Sequence, residues 1–370
     1  MRRALVQVHL WLGLVIGLLW ALQGLTGASL VFHRELDRRV VGAVATGPMV
    51  SLDRIVAGAE ARTGSRVTMI GIADRPADIL NVHYSDGGPR QLQVEAATGR
   101  PLRERSNDPA TPLDGSAWRW VYQLHESLLL HDKGETLIGV SGLLLFSSLL
   151  TGLWLGFPRR RQWKQALGWR GWKSLRAKLF GWHRLAGIAA GALLLFTVPG
   201  GVWMAFAPEL RPRLAALVAH ELPYKPRPVE RLGAVIPPQR AVTLARSHFP
   251  TAAFVRLTMP TAAAPVYSVR LRQAEETRVW SGVTLVAIDA ASGRTLNVYD
   301  AVRAPLSNRL ADAAFSIHSG EVAGLIGRIL LMFAGLSLPA LYVTGVWAWW
   351  RKRGRASSRQ RLARAVAEPA

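Results

Sequence analysis

The stretch LLTGLWLGFPRRR, residues 149–161, closes a long apolar run with a Thr-Gly pair, a tryptophan and three arginines, and LYVTGVWAWWRKR, residues 341–353, repeats the pattern 193 positions later. Each reads as the end of a membrane span, because about 20 consecutive apolar residues cross a bilayer as a helix. Two more apolar stretches complete a set of spans expected at roughly 10–33, 136–157, 185–207 and 326–350. The first follows MRR as a signal peptide would. Its run is long, however, and passes into FHRELDRRV without a small-residue cleavage pattern, so it reads as a retained span.

Charge gives the orientation. The chain has 370 residues, 46 Lys and Arg against 24 Asp and Glu, and a formal charge of +22. The loop at 158–182 carries eight basic residues and no acid, the chain starts with Arg2 and Arg3, and the tail opens RKRGR. Lys and Arg beside short loops mark the cytoplasmic side. Both termini and this loop are therefore expected there, and 34–135 and 208–325, which hold nearly all the acids, are expected to face outward. The basic residues sit where membrane anchors belong, which speaks against a nucleic-acid partner. The absence of cysteine excludes thiol nucleophiles, Cys-ligated iron-sulfur clusters and haem attached through C-x-x-C-H.

The Thr-Gly match is one of three. VEAATGRPL at 94–102 matches IDAASGRTL at 288–296, offset by 194, and HLWLG at 9–13 matches HRLAG at 183–187, offset by 174. The repeated order is histidine, span, outer domain, histidine, span, basic tail, an internal duplication. It divides the chain into an N-terminus and first span (1–33), an outer module (34–116), an outer helix and second span (117–157), the basic loop (158–182), a third span (183–207), a linker and second outer module (208–312), an outer segment and fourth span (313–350) and a basic tail (351–370).

Each outer module reads as α+β. An amphipathic stretch around LDRIVAGAEARTG precedes the alternating runs VTMIGI, ILNVHYS and RQLQVEA. Alternation of apolar and polar residues favours half-buried strands. The second module repeats this with AAFVRLTM, PVYSVRLR and VTLVAID. The pieces ending at Gly99 and Gly293 are natural turns, since glycine tolerates the positive φ that such turns need. Proline and arginine crowd 208–231, which reads as a linker, and His83 and His248 stand isolated.

Four histidines follow the repeat. His9 and His183 open spans one and three. His125 and His318 each stand 26 residues before the Thr of a Thr-Gly pair, from 125 to 151 and from 318 to 344. His131 rivals His125 because HDKGETLIG also resembles HSGEVAGLIG, and His33 is a further candidate near the outer end of span one. Gly13 and Gly17 follow His9 at helical spacing, as Gly187 and Gly191 follow His183. Such a stripe lets a backbone approach a flat cofactor, and equally lets it approach another helix. Two pairs of imidazoles suit two six-coordinate haem irons; without C-x-x-C-H the haem would be noncovalent b type. The alternative is that the histidines only cap helix ends. Zinc is less attractive, because no acid or thiol joins them.

HLWLG, LHESL (124–128), TGLW (151–154), WHRLAG (182–187), IHSG (317–320), TGVW (344–347) and the EAATG and DAASG turns, in this order, resemble the PepSY-associated transmembrane family over nearly the whole chain. The resemblance implies a bacterial inner-membrane protein: an all-helical four-span transmembrane bundle with two periplasmic α+β PepSY-type modules. It implies two haem b groups with His9, His183, His125 and His318 as axial ligands. It further implies an oxidoreductase that takes electrons from a cytoplasmic or quinol donor and reduces a ferric siderophore, Fe3+ to Fe2+, in the periplasm during iron uptake. Alternatives are a haem-containing electron conduit to another periplasmic acceptor, or a non-enzymatic PepSY binding or regulatory protein. Tyr84, Trp118, Trp120 and Tyr122 are candidates for an outer surface, or ordinary interface aromatics.

Overall fold

A computed structural model describes the chain except Arg75, Pro109 and residues 112–116, 159–173 and 368–370, with side chains of Arg176 and 352–367 also left undescribed. The order begins with helices α1 (Arg2–Val15), α2 (Gly17–Leu30), α3 (His33–Val41) and α4 (Leu52–Thr63), then strands β1 (Val67–Ile72), β2 (Ile79–Ser85), β3 (Pro89–Glu95) and β4 (Pro101–Ser106). Helices α5 (Ala117–Ser127), α6 (His131–Gly156), α7 (Leu175–Ala205), α8 (Ala207–Leu217) and α9 (Pro238–His248) follow. Strands β5 (Ala253–Thr258), β6 (Val266–Arg272), β7 (Leu285–Asp289) and β8 (Thr295–Tyr299) lead to α10 (Leu306–His318), a short 3-10 turn and α11 (Gly324–Ala367). The basic loop expected at 158–182 lies mostly outside the described residues.

The chain divides into two units. The membrane unit comprises Met1–Val31, Asp132–Val202 and His318–Ala370. Three of its segments, His131–Gly156, Ala177–Ala205 and Glu321–Arg351, are long and apolar enough to cross a bilayer. The expected first span differs: α1 and α2 meet at a 63° bend and cross only if counted together. Ile16, between them, stays in the right-handed region but widens to φ −105° and ψ −15°. Gly13 and Gly17 flank it, and glycine holds a helix more weakly than any residue but proline.

Small residues set the helix packing, as expected where lipid removes the hydrophobic drive between helices. A Cβ on Gly335 of α11 would stand 2.8 Å from the Gly24 carbonyl oxygen and 3.3 Å from the Ala28 Cβ of α2. The two backbones therefore touch. Trp20, Leu145, Ala190, Leu194, Val198 and Ala334 fill the interior. The Trp20 indole donates to the Ser141 carbonyl at 3.2 Å, so its one polar atom is satisfied.

The sheet unit comprises Phe32–His131 and Trp203–Ile317. The regions expected as two modules share one antiparallel sheet in the order β4-β3-β2-β1-β5-β6-β7-β8. Each half is a four-strand meander, and the halves join where Met69, Ile70 and Gly71 pair with Thr258, Leu257 and Arg256. The fourth strand of each half was not legible: β4 reads PLRERS, which lacks an apolar alternation. One face buries Ile70, Val82, Leu92, Leu257, Val269 and Ile288 beneath α4 and α9. Gly99 and Gly293 hold φ of 76° and 74°, the positive values expected of the two turns. Of the stretch read as a linker, Ala207–Leu217 is helix, with Pro208 in its first turn, where a missing N–H costs nothing.

Candidate functional site

Within the membrane unit the rings of His9 and His183 stand 6.4 Å apart between centroids, with planes at 81°. His9 lies on α1 and packs against α6; His183 lies on α7 and packs against α11. Their seats are alike. The His9 Nδ1 lies 3.1 Å from the Ser148 carbonyl, and a Cβ on Gly152, one turn later, would meet the His9 Cε1 at 2.8 Å. The His183 Nδ1 lies 3.0 Å from the Thr344 hydroxyl, and its ring rests over Gly345. His318 repeats the arrangement against α7: its Nδ1 lies 2.9 Å from the Thr197 carbonyl, and a Cβ on Gly201 would meet its Cε1 at 2.8 Å. The rings of His9 and His318 occupy the space that a side chain at Gly152 or Gly201 would fill, whereas His183 leaves room for a Cβ at Gly345.

These contacts fix the tautomers. A carbonyl only accepts, so Nδ1 of His9 and of His318 carries the hydrogen. The Thr344 hydroxyl donates to the Ala340 carbonyl at 2.8 Å, so toward His183 it acts as acceptor and Nδ1 again donates. In the neutral form of each ring Nε2 then keeps its lone pair. A ring anchored through Nδ1–H to a backbone or hydroxyl oxygen is the usual support of a metal-ligating imidazole. For His9 and His183 the separation of 6.4 Å between ring centroids also leaves both within reach of one bound group. No group of three or more His, Asp or Glu suited to a metal ion occurs among the described residues.

The remaining candidates divide differently. His125 ends α5 in the sheet unit, and His131 opens α6 with φ of 53° after Leu128 and Leu129, which also have positive φ. Three such non-glycine residues in four positions make a strained connection. His33 starts α3, with its ring 6.0 Å from that of Trp118. Of the glycine stripe, Gly17 faces Tyr342, Gly187 faces Leu341 and Gly191 faces Leu153, while a Cβ on Gly13 would meet nothing within 4 Å. Helix packing thus occupies three of the four positions. Tyr84 is a core residue whose hydroxyl donates to Glu104, and Tyr122 donates to Glu126.

Sequence reasoning saw Thr-Gly as a repeat mark and missed its use as a seat. The signal was available, since histidine and Thr-Gly recur together at the same two places. Gly201 carried a weaker signal: at the offset of 174 it aligns with Gly27, but PGGVW and LTGAS share only that glycine.

The sequence pattern described as the PepSY-associated TM region matches residues 6–352, and the chain belongs to that family. No curated protein matches it.

Proposed function

We propose that this member of the PepSY-associated transmembrane family is a haem-bearing electron conduit, built by duplication, that delivers electrons to a periplasmic acceptor. The pairing of His9 with His183 carries the reading. Two imidazoles from repeat-related helices, each with Nδ1 anchored and Nε2 left as donor in its neutral form, would hold one haem b. A haem held there would supply one-electron chemistry within the low dielectric of the bundle. The protein's own part is to hold both rings against rotation, through Ser148 and Gly152 on one side and Thr344 and Gly345 on the other. A second haem is proposed from the duplication alone, with the termini cytoplasmic and the sheet unit in the periplasm. The acceptor we favour within this reading is a ferric siderophore, with a cytoplasmic or quinol donor; a different periplasmic acceptor would use the same chain.

A second reading is favoured by the packing itself. Gly17, Gly191 and Gly24 are all filled by neighbouring helices, so the histidines could serve as helix locks in a membrane-anchored binding or regulatory protein. One measurement separates the two. Full-length protein purified from haem-replete cells is expected to show b-type bands that sharpen with dithionite and are lost from the inner site in His183→Ala. Colourless wild-type protein refutes the conduit and leaves the binding reading. Anaerobic mixing of reduced protein with ferric siderophores then tests the acceptor, by whether haem reoxidation outpaces that with iron-free siderophore.

A further inference from the structure

The sheet face opposite the α4 and α9 core borders a cavity of about 300 Å³, wholly within the sheet unit. Residues of α3, Trp118 of α5 and the polar face of the sheet line it. One row of side chains crosses that face in register. Gln93 pairs with Asn81, Asn81 with Gly71, Gly71 with Arg256, and Arg256 with Arg270. The halves of the row differ in kind. The Asn81 carbonyl accepts from Gln91 at 2.5 Å and from Gln93 at 3.0 Å, so the amides satisfy one another. Arg256 and Arg270 instead put two cations directly opposite on neighbouring strands, an arrangement that destabilises a sheet.

Glu276 and Asp312 act on Arg270 across space, yet among the described residues no carboxylate pairs directly with either arginine. The Arg270 Nε is buried without a hydrogen-bond partner. The nearby acids are engaged elsewhere. Asp37 binds Arg103 at 2.7 Å and Arg105 at 2.9 Å. Glu276 accepts from the Thr284 hydroxyl at 2.7 Å and the Gln273 amide at 2.9 Å, and Asp312 accepts from Tyr299 at 2.5 Å. Asp74 also lines the cavity. Burial, with Arg256 and Arg278 alongside, pushes Arg270 down to about 10. Gly71 contributes no side chain to the middle of the row, and a Cβ there would lie 3.6 Å from the Arg256 Cγ.

We infer that this cavity is a binding site for a small multivalent oxyanion, one whose carboxylate or phosphate groups bridge Arg256 and Arg270. Guanidinium forks suit paired oxygens on one anion, and such charge-assisted bonds are about twice as strong as neutral ones. The volume is that of roughly ten waters at about 30 Å³ each, enough for a tricarboxylate. The site does not depend on the proposed electron transfer.

The test uses full-length protein in nanodiscs of neutral phosphatidylcholine, with citrate and inorganic phosphate as probes, read by calorimetry and thermal unfolding. Citrate is expected to bind and raise the unfolding temperature. Arg256→Gln and Arg270→Gln should each weaken binding by about tenfold or more while raising the unfolding temperature of the free protein, because like-charge repulsion is relieved. A purely structural arginine would lower it. Gly71→Leu, which keeps every charge and fills the space, should also abolish binding and serves if an arginine variant fails to fold. Arg54→Gln, exposed on α4, removes the same charge and should leave binding intact. Repetition with anionic phosphatidylglycerol distinguishes sources: lost citrate affinity there identifies lipid phosphate as the occupant of the same oxyanion site, and retained affinity identifies a soluble anion. No binding of either probe, or citrate binding equal in wild type, Arg270→Gln and Gly71→Leu, overturns the inference.

Discussion

Gly152 and Gly345 occupy equivalent places in the repeat, yet alanine should act oppositely at the two. A Cβ at 345 would reach the His183 Cε1 at 3.5 Å, an ordinary contact, whereas at 152 it would reach the His9 Cε1 at 2.8 Å. In a helix interior, Gly→Ala is worth about 0.5–1 kcal/mol in favour of alanine, since glycine loses more backbone freedom on folding. Gly345→Ala should keep that gain. At 152 the His9 ring must move by several tenths of an ångström, and it cannot do so freely because Nδ1 is held by Ser148. Overpacking costs about 1–3 kcal/mol, and a weakened hydrogen bond adds to the loss at about 0.5–1.5 kcal/mol. Gly152→Ala should therefore fall below Gly345→Ala by at least about 1 kcal/mol, combining the lost packing with the retained gain. Reversible denaturation of both variants in one detergent measures the gap. Equal stabilities, or Gly345→Ala the weaker, would refute the seat described for His9.

Three further outcomes are expected. Gly335→Ala should destabilise the α2–α11 contact by about 1–3 kcal/mol, because its Cβ would stand 2.8 Å from a backbone oxygen that cannot rotate away; proteolytic susceptibility of α2 in detergent checks it. Glu95 is held down to about 2 by hydrogen bonds from Arg100, the Ala45 amide and Thr98. Its folded value lies below its ordinary 4.5, so its contribution is complete above that pH and disappears as pH falls toward 2; thermal unfolding against pH should lose this slope in Glu95→Gln. Burial, aided by Arg105, Arg256 and Arg119, lowers His83 to about 4. The unfolded chain then binds more protons between 6.5 and 4, so stability should decline as pH falls through that window, and His83→Gln should flatten the decline.

The apolar runs, the positive-φ turns at Gly99 and Gly293 and six of the eight strands were legible because each rests on local composition or period two. The edge strands were not, since β4 gains its hydrogen bonds from β3 and needs no apolar face. Nor was the joining of two modules into one sheet, which depends on β1 and β5 meeting across some 190 residues of sequence. The bend at Ile16 was hidden within a continuous apolar run. Among candidate ligands, His9 and His183 could be named from repetition alone, but their tautomers depend on oxygens of α6 and α11, which no spacing along α1 or α7 contains.

The central pairing relates the two halves of the sheet position by position. The bulges fall at matching places, between Val67 and Met69 and between Phe254 and Arg256, so Met69 is the counterpart of Arg256 and His83 the counterpart of Arg270. Backbone environment at counterpart positions is alike, so local structure does not account for methionine and histidine on one side and two cations on the other. The amide row closes on itself through Gln91 and Gln93 and gains nothing from an added ligand. The arginine row cannot close, because neither member has an acceptor to offer the other. A frame of like halves thus carries one half that is complete within the protein and one whose charge is paired directly only by something bound. The membrane unit follows the same logic with imidazole: Ser148, Thr197 and Thr344 take up one nitrogen of each histidine and leave the other as a donor. In both units the unfinished valence stands beside a glycine, Gly71 in the sheet and Gly152, Gly201 and Gly345 in the helices, and at Gly152 and Gly201 a Cβ would stand only 2.8 Å from the imidazole, so there the absence of a side chain is what gives the ring its room.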